Sequence, residues 1–107
     1  MRKKEAELGR IHNPELLVLA SLASGPKHGY AMTLDIATFS GTQLEPGTLY
    51  GAITRLEAHG WIQPLPVQDR RRPYRLTTAG ATVLREQLQS IERVVVTGQQ
   101  RLALQPL

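Results

Sequence analysis

The sequence predicts a mainly α fold with one small β-hairpin, closed by a long final helix. Three observations carry that prediction. Asn13-Pro14-Glu15 and Glu45-Pro46-Gly47 are helix starts, each followed by apolar residues at helical spacing. After Gly60 the pattern changes to two short, bulky segments, Trp61–Pro66 and Tyr74–Thr77, on either side of an arginine-rich bend. Finally, Leu84, Leu88, Ile91, Val95 and Leu102 recur at heptad-type intervals, with Gly98 at the missing step.

The first helix begins where Asn13 can accept the earliest free N–H groups, Pro14 needs none, and Glu15 suits the positive helix end. Leu16, Leu17, Leu19, Ala20 and Leu22 make it apolar over most of its circumference, as a central helix requires. Ser24-Gly25-Pro26 stops it. A second helix is expected from Gly29 to Phe39, with Tyr30, Leu34 and Ala37 or Phe39 facing inward. In the third, Leu49, Ala52, Ile53 and Leu56 fall on one face, and Gly60 provides a left-handed cap. The two bulky segments form a hairpin whose first strand is held to an edge by Pro64 and Pro66. Thr77 or Thr78 then caps the final helix. The domain layout is a basic arm or short helix over residues 1–12, a compact unit over 13–77, and a long helix with its tail over 78–107.

Composition narrows the function classes. Thirteen Lys+Arg stand against nine Asp+Glu, a formal charge of +4. The excess is local, at residues 1–12 and in the run Asp69-Arg70-Arg71-Arg72-Pro73-Tyr74-Arg75. Two basic patches suit an anionic polymer better than a uniform charge does. No apolar run reaches the roughly 18 residues of a membrane span, and the first residues lack the form of a signal peptide. The lack of cysteine suits the cytoplasm. His12, His28 and His59 have no acidic or cysteine partner at ligand spacing, so no metal is expected, and no cofactor. No nucleophile is set beside a base and its orienter, so no enzyme is expected.

Helix, helix, helix and hairpin is the order of a winged helix-turn-helix, in which the third helix enters the major groove and the hairpin reaches phosphates beside it. With Leu49, Ile53 and Leu56 inward, Thr48, Gly51, Thr54, Arg55 and Ala58 lie toward the other side of the third helix. Gly51 and Ala58 keep that surface low, Thr48 and Thr54 offer hydroxyls, and Arg55 can read guanine with two donors. Arg70, Arg71 and Arg72 sit at the wing tip. Arg75 alternates with Tyr74 and Leu76 and suits a structural role as well as a DNA contact. Lys27 and His28 precede the second helix, where a phosphate can come close, and a plain turn suits them as well.

Several segments together resemble the PadR-type transcriptional regulators, a winged helix-turn-helix family. They are Leu16-Leu17-Val18-Leu19, Gly25 with His28-Gly29-Tyr30, Pro46-Gly47-Thr48-Leu49-Tyr50, Arg55-Leu56-Glu57, Gly60, Arg71-Arg72-Pro73-Tyr74-Arg75-Leu76-Thr77 and Gly80. The resemblance covers about Asn13 to Leu88. It implies a repressor of double-stranded DNA that forms a homodimer through the last helix, with Thr48 and Tyr50 near the DNA backbone. Leu84, Leu88, Ile91, Val95 and Leu102 form the dimer seam, and an operator with two related half-sites follows. Members of that family often respond to small molecules or to other signals, and neither the existence nor the identity of a small-molecule effector is carried by this sequence. Two positions depart from the family pattern: Glu45 stands where Ser is usual, and Gly51 where Pro is frequent. Glu45 is expected to cap less well, and Gly51 to loosen the turn. The rival reading is a winged-helix interaction module that offers its basic hairpin to an acidic protein.

Overall fold

The computed structural model describes residues 13–106. The arm expected over residues 1–12 lies outside them. In chain order the elements are α1 (Pro14–Leu22), β1 (Lys27–His28), α2 (Gly29–Ser40), α3 (Pro46–Ala58), β2 (Ile62–Pro64), β3 (Pro73–Leu76) and α4 (Thr78–Ala103). The fold is a winged helix-turn-helix followed by a long C-terminal helix.

α1 is the centre of the molecule. The Asn13 side chain accepts the Leu16 N–H at 2.7 Å, and Leu16, Leu17, Val18, Leu19, Ser21 and Leu22 are all buried. A helix wetted on so little of its surface is stabilised by tertiary packing, here against α2, α3 and α4. α3 presents Leu49, Ala52, Ile53 and Leu56 to that core, the face expected from their spacing. Gly60 takes φ +76 just past the helix end, the left-handed geometry that favours glycine.

α2 corrects the sequence reading. Met32 and Ile36 are fully buried, whereas Tyr30, Leu34 and Phe39 are 60%, 51% and 49% exposed. Gly29, Met32 and Ile36 share one face at spacings of three and four, and that face packs inward. Tyr30 and Leu34 form a parallel stripe of larger residues on the wet side. Bulk pointed to the wrong stripe.

The sheet holds one strand more than the hairpin predicted. β1 pairs antiparallel with β3, and β3 with β2, so the order is β1-β3-β2 and β2 is indeed an edge. Lys27 and His28 are therefore strand residues rather than a plain turn. α4 starts at Thr77, whose hydroxyl accepts the Gly80 N–H at 3.0 Å while donating to the Gly60 carbonyl at 2.7 Å. A methyl at Gly80 would overlap the Trp61 carbonyl, so glycine is what allows α4 to lie against the foot of the wing. Trp61 packs on the core there, stacked on His59 with centroids 4.3 Å apart.

α4 then leaves the body. Leu84 is its one buried large side chain, and Ile91 is partly covered. Leu88, Val95 and Leu102 are 48%, 47% and 70% exposed. The molecule measures 58 × 29 × 20 Å, its long dimension fitting a helix of about 39 Å at 1.5 Å per residue. No helix among the described residues is long and apolar enough to cross a membrane.

Candidate nucleic-acid interface

α3 begins without side-chain help. Glu45 is at the cap position and makes no capping hydrogen bond, as expected of the longer Glu side chain in place of Ser. Pro46 at the first helical position starts the helix. The face opposite the core is built from Gly47, Gly51, Thr54 and Ala58, so the α3 backbone can approach a ligand closely. Gly51 does not loosen the helix, which is continuous through it. Instead the Arg55 guanidinium lies across it: a methyl there would come 3.3 Å from Nη1.

Two flanks border that face. On one, Thr48 is exposed, and Arg55 donates through Nε to Oε1 of Glu15 at 2.5 Å, with Nη2 at 2.5 Å from the same oxygen. The pair bridges α3 and the first turn of α1. Exposed pairs of this kind contribute about 0–1 kcal/mol, so the pair orients Arg55 more than it holds the fold. On the other flank Tyr50 is 51% exposed, and its hydroxyl occupies the space a side chain at Gly29 would need. Thr54 donates its hydroxyl proton to the Tyr50 carbonyl at 2.9 Å, which leaves it only acceptor capacity outward.

The wing closes in a tight turn, Gln68-Asp69-Arg70-Arg71. Gln68 and Arg71 exchange both backbone hydrogen bonds at 2.8 Å, and Asp69 and Arg70 take φ +49 and +65. Positive φ at both central positions marks the two-residue turns that match strand twist. Asp and Arg in place of Asn-Gly store some strain there, and the turn projects Arg70 from the tip. Arg71 points back toward the body: Nη1 lies 3.1 Å from His28 Nε2, and the guanidinium sits 5.7 Å above the Tyr30 ring. Arg72 donates to the Leu65 carbonyl at 2.8 Å, bracing the hairpin. Arg75 is engaged elsewhere, by its cross-strand neighbour Gln63.

Lys27 is turned inward. Its ammonium donates to the Ser21 carbonyl at 2.5 Å and to Ser24 Oγ at 2.7 Å, and lies 3.9 Å from Asp35. Asp35 in turn accepts from the buried Ser21 hydroxyl at 2.7 Å. This network ties the end of α1 to α2, and no spacing in the chain announces it. Among the expected contact residues, the fold thus brings Tyr50, Arg71 and Arg72 together on the wing side of α3. Thr48 and Arg55 lie on the opposite flank, Arg70 at the tip, and Lys27 apart from all of them.

His28, Tyr30 and Tyr74 join the first group; of these only His28 was placed near a phosphate by the sequence, beside Lys27, while Tyr30 was expected to face inward. Burial raises the Tyr74 pKa above 10.0, and Glu57 and Tyr50 add to the rise against the opposing charge of Arg72. Tyr74 is therefore a neutral phenol at physiological pH.

Among known proteins, the chain is similar to a transcriptional regulator of Mycobacterium tuberculosis, 34% identical over 109 residues that take in 96% of each chain. It is also similar to an uncharacterized 37.1 kDa protein in a transposon of Streptomyces fradiae, 45% identical over 85 residues. That match takes in 79% of this chain and 25% of the Streptomyces protein, so the chain spans a quarter of that relative's length. The crystal structure of a PadR family transcription regulator from Clostridium difficile superposes with a TM-score of 0.75 at 23% identity. It covers 83% of this chain and 97% of that one, a likeness of fold. The sequence model of the PadR-like transcriptional regulators matches residues 18–86. That stretch runs from the core of α1, through α3 and the wing, to the start of α4, and on it the chain belongs to the PadR-like family of DNA-binding transcriptional regulators.

Proposed function

We propose that the chain is a repressor that acts as a homodimer on a roughly palindromic operator. Residues 13–77 are the DNA-binding unit, and residues 78–107 hold the partner. The observation that carries this reading is the pairing of a low, small-residue face on α3 with arginines on the adjoining wing. The exposed Leu88, Val95 and Leu102 of α4 support the second half, since a symmetric copy is the economical cover for such a seam. Repression by occupancy needs only those two contacts.

In this reading α3 enters the major groove, with Thr48 and Tyr50 beside its two phosphate walls. Arg55, held by Glu15 through Nε and Nη2, offers the Nη1 side of its guanidinium to a guanine. Arg70, Arg71 and Arg72 act chiefly through phosphates. Lys27 braces the end of α1 against α2, and its role toward DNA is positional. A small-molecule effector, if the protein responds to one, acts at the dimer seam or between α4 and the body.

Selection of bound sequences from random duplex DNA tests the proposal. The expected result is a palindrome with half-sites about 10 base pairs apart or a multiple of that; no enrichment would sink it. Replacing Arg70, Arg71 and Arg72 with Gln should weaken binding to all duplexes alike and lower the salt dependence by about two to three phosphate equivalents. An unchanged slope would remove the wing from the interface. Arg55→Ala should instead relax preference at one base pair, by about 1–3 kcal/mol.

A further inference from the structure

Between the start of α2, the first turns of α3 and strand β3 lies a cleft of about 160 Å³. Its polar lining is His28, Tyr30, Tyr50, Arg71, Arg72 and Tyr74. Each of these can donate a hydrogen bond at neutral pH, and among the described residues no carboxylate lines the cleft. Glu57 acts on Tyr74 from α3 without reaching it.

His28 defines what the cleft can hold. Its Nδ1 accepts the Ala31 N–H at 3.2 Å, capping α2. A neutral imidazole with Nδ1 as acceptor carries its proton on Nε2. That Nε2 faces Nη1 of Arg71 at 3.1 Å, and a guanidinium has donors only. The two groups therefore cannot bond each other while the cap is made; they converge as two donors. The Tyr30 ring under Arg71 holds the guanidinium in place. Gly29, with no side chain, lets the Tyr50 hydroxyl come up to the same spot. The start of α2, a 12-residue helix, adds its partial positive charge.

Convergent donors around a small volume, with two guanidinium cations and no acid among the described residues, call for an anionic oxygen with several lone pairs. The cleft opens beside α3 on the wing side, where the strand bordering the major groove would run. We infer that it clamps a single backbone phosphate of bound DNA, with His28 Nε2–H, Arg71 and the Tyr50 hydroxyl as its donors. This rests on the DNA-binding reading above and adds to it a neutral donor, His28, at a fixed place in the register. The clamp also couples wing to helix: a phosphate held there joins β3, the start of α2 and the start of α3.

The test uses His28→Asn, which keeps an N-cap acceptor for the Ala31 N–H but is too short to reach the cleft, and Tyr50→Phe, which leaves that cap untouched. Binding is measured on the selected operator and on duplexes in which each phosphate in turn is a neutral methylphosphonate. Wild type should lose about 10- to 100-fold at one phosphate per half-site. Each variant should lose a similar factor on the unmodified duplex, lose nothing further at that same phosphate, and keep the wild-type salt slope. Wild-type affinity in both variants, or a loss that persists at every modified phosphate, would overturn the clamp while leaving DNA binding intact. Failure of wild type to bind any duplex overturns both readings. Inorganic phosphate, titrated against the His28 ring signals by NMR, separates the remaining source. Weak, unsaturated shifts at millimolar phosphate fit a clamp for DNA, and tight saturation without DNA would reassign the cleft to a free phosphate ligand.

Discussion

The winged unit and the outer part of α4 hold themselves together in different ways. Of the buried apolar side chains, all but Leu84 lie between Leu16 and Ile62. Past Leu84 the helix carries Leu88, Val94, Val95, Val96 and Leu102, each at least 42% exposed. The first region encloses its own core, so its cohesion does not depend on concentration. The second displays a seam, and what covers it obeys mass action. Under the proposed function, reading bases and counting partners fall to separate pieces of one short chain.

Breaking the seam should have the largest effect. Leu88→Asp combined with Val95→Asp is expected to leave a folded monomer by sedimentation and far-UV circular dichroism. Its operator affinity should fall by about 10²–10⁴-fold, the advantage of linking two half-site contacts. A dimer that survives both charges would place the interface outside α4. Gly80→Ala attacks the junction between the two regions. A methyl there meets the Trp61 carbonyl, a backbone atom that cannot swing aside, so α4 must shift. The expected loss is about 1–3 kcal/mol in a denaturant titration; an unchanged midpoint would mean that α4 and the foot of the wing are not in close contact.

The smallest effect concerns Tyr74 inside the winged unit. Its pKa is raised on folding, chiefly by burial, so the folded state favours the protonated phenol. Above about pH 10 the unfolded chain releases that proton more readily, binds fewer protons than the folded one, and stability falls as pH rises. The contribution is fully present below pH 10. Tyr74→Phe should make the alkaline decline shallower than in wild type; parallel curves would show that the shift has no weight.

Much of this architecture was legible in the sequence because periodicity and caps report burial directly. Asn13, Pro46, Gly60 and Thr77 act where those residue types predict, and the spacing of Leu49, Ala52, Ile53 and Leu56 identified the buried face of α3. α2 was misread because it carries two apolar stripes at helical spacing, and the larger side chains are on the wet one. Gly29 was the available signal, since a glycine at the start of a helix can mark the side where another chain comes close. β1 was missed for a different reason. Two residues, one of them lysine, carry no strand signature, and they pair only because β3 is brought beside them. Side-chain engagement was least legible of all. Nothing in the spacing of Lys27 and Ser21, or of Arg55 and Glu15, foretells that each pair meets.

The junction at Thr77 and Gly80 has a mechanical consequence. Thr77 donates its backbone N–H to the Trp61 carbonyl, next to the very strand that leads into the wing, and Gly80 rests on the same carbonyl. α4 and the wing thus share a pivot, with a helical arm of about 39 Å on one side. A turn of about 5° at that pivot sweeps the far end through about 3 Å over such an arm. In a pair of such molecules, the crossing angle of the two arms is also a ruler for the gap between their wings.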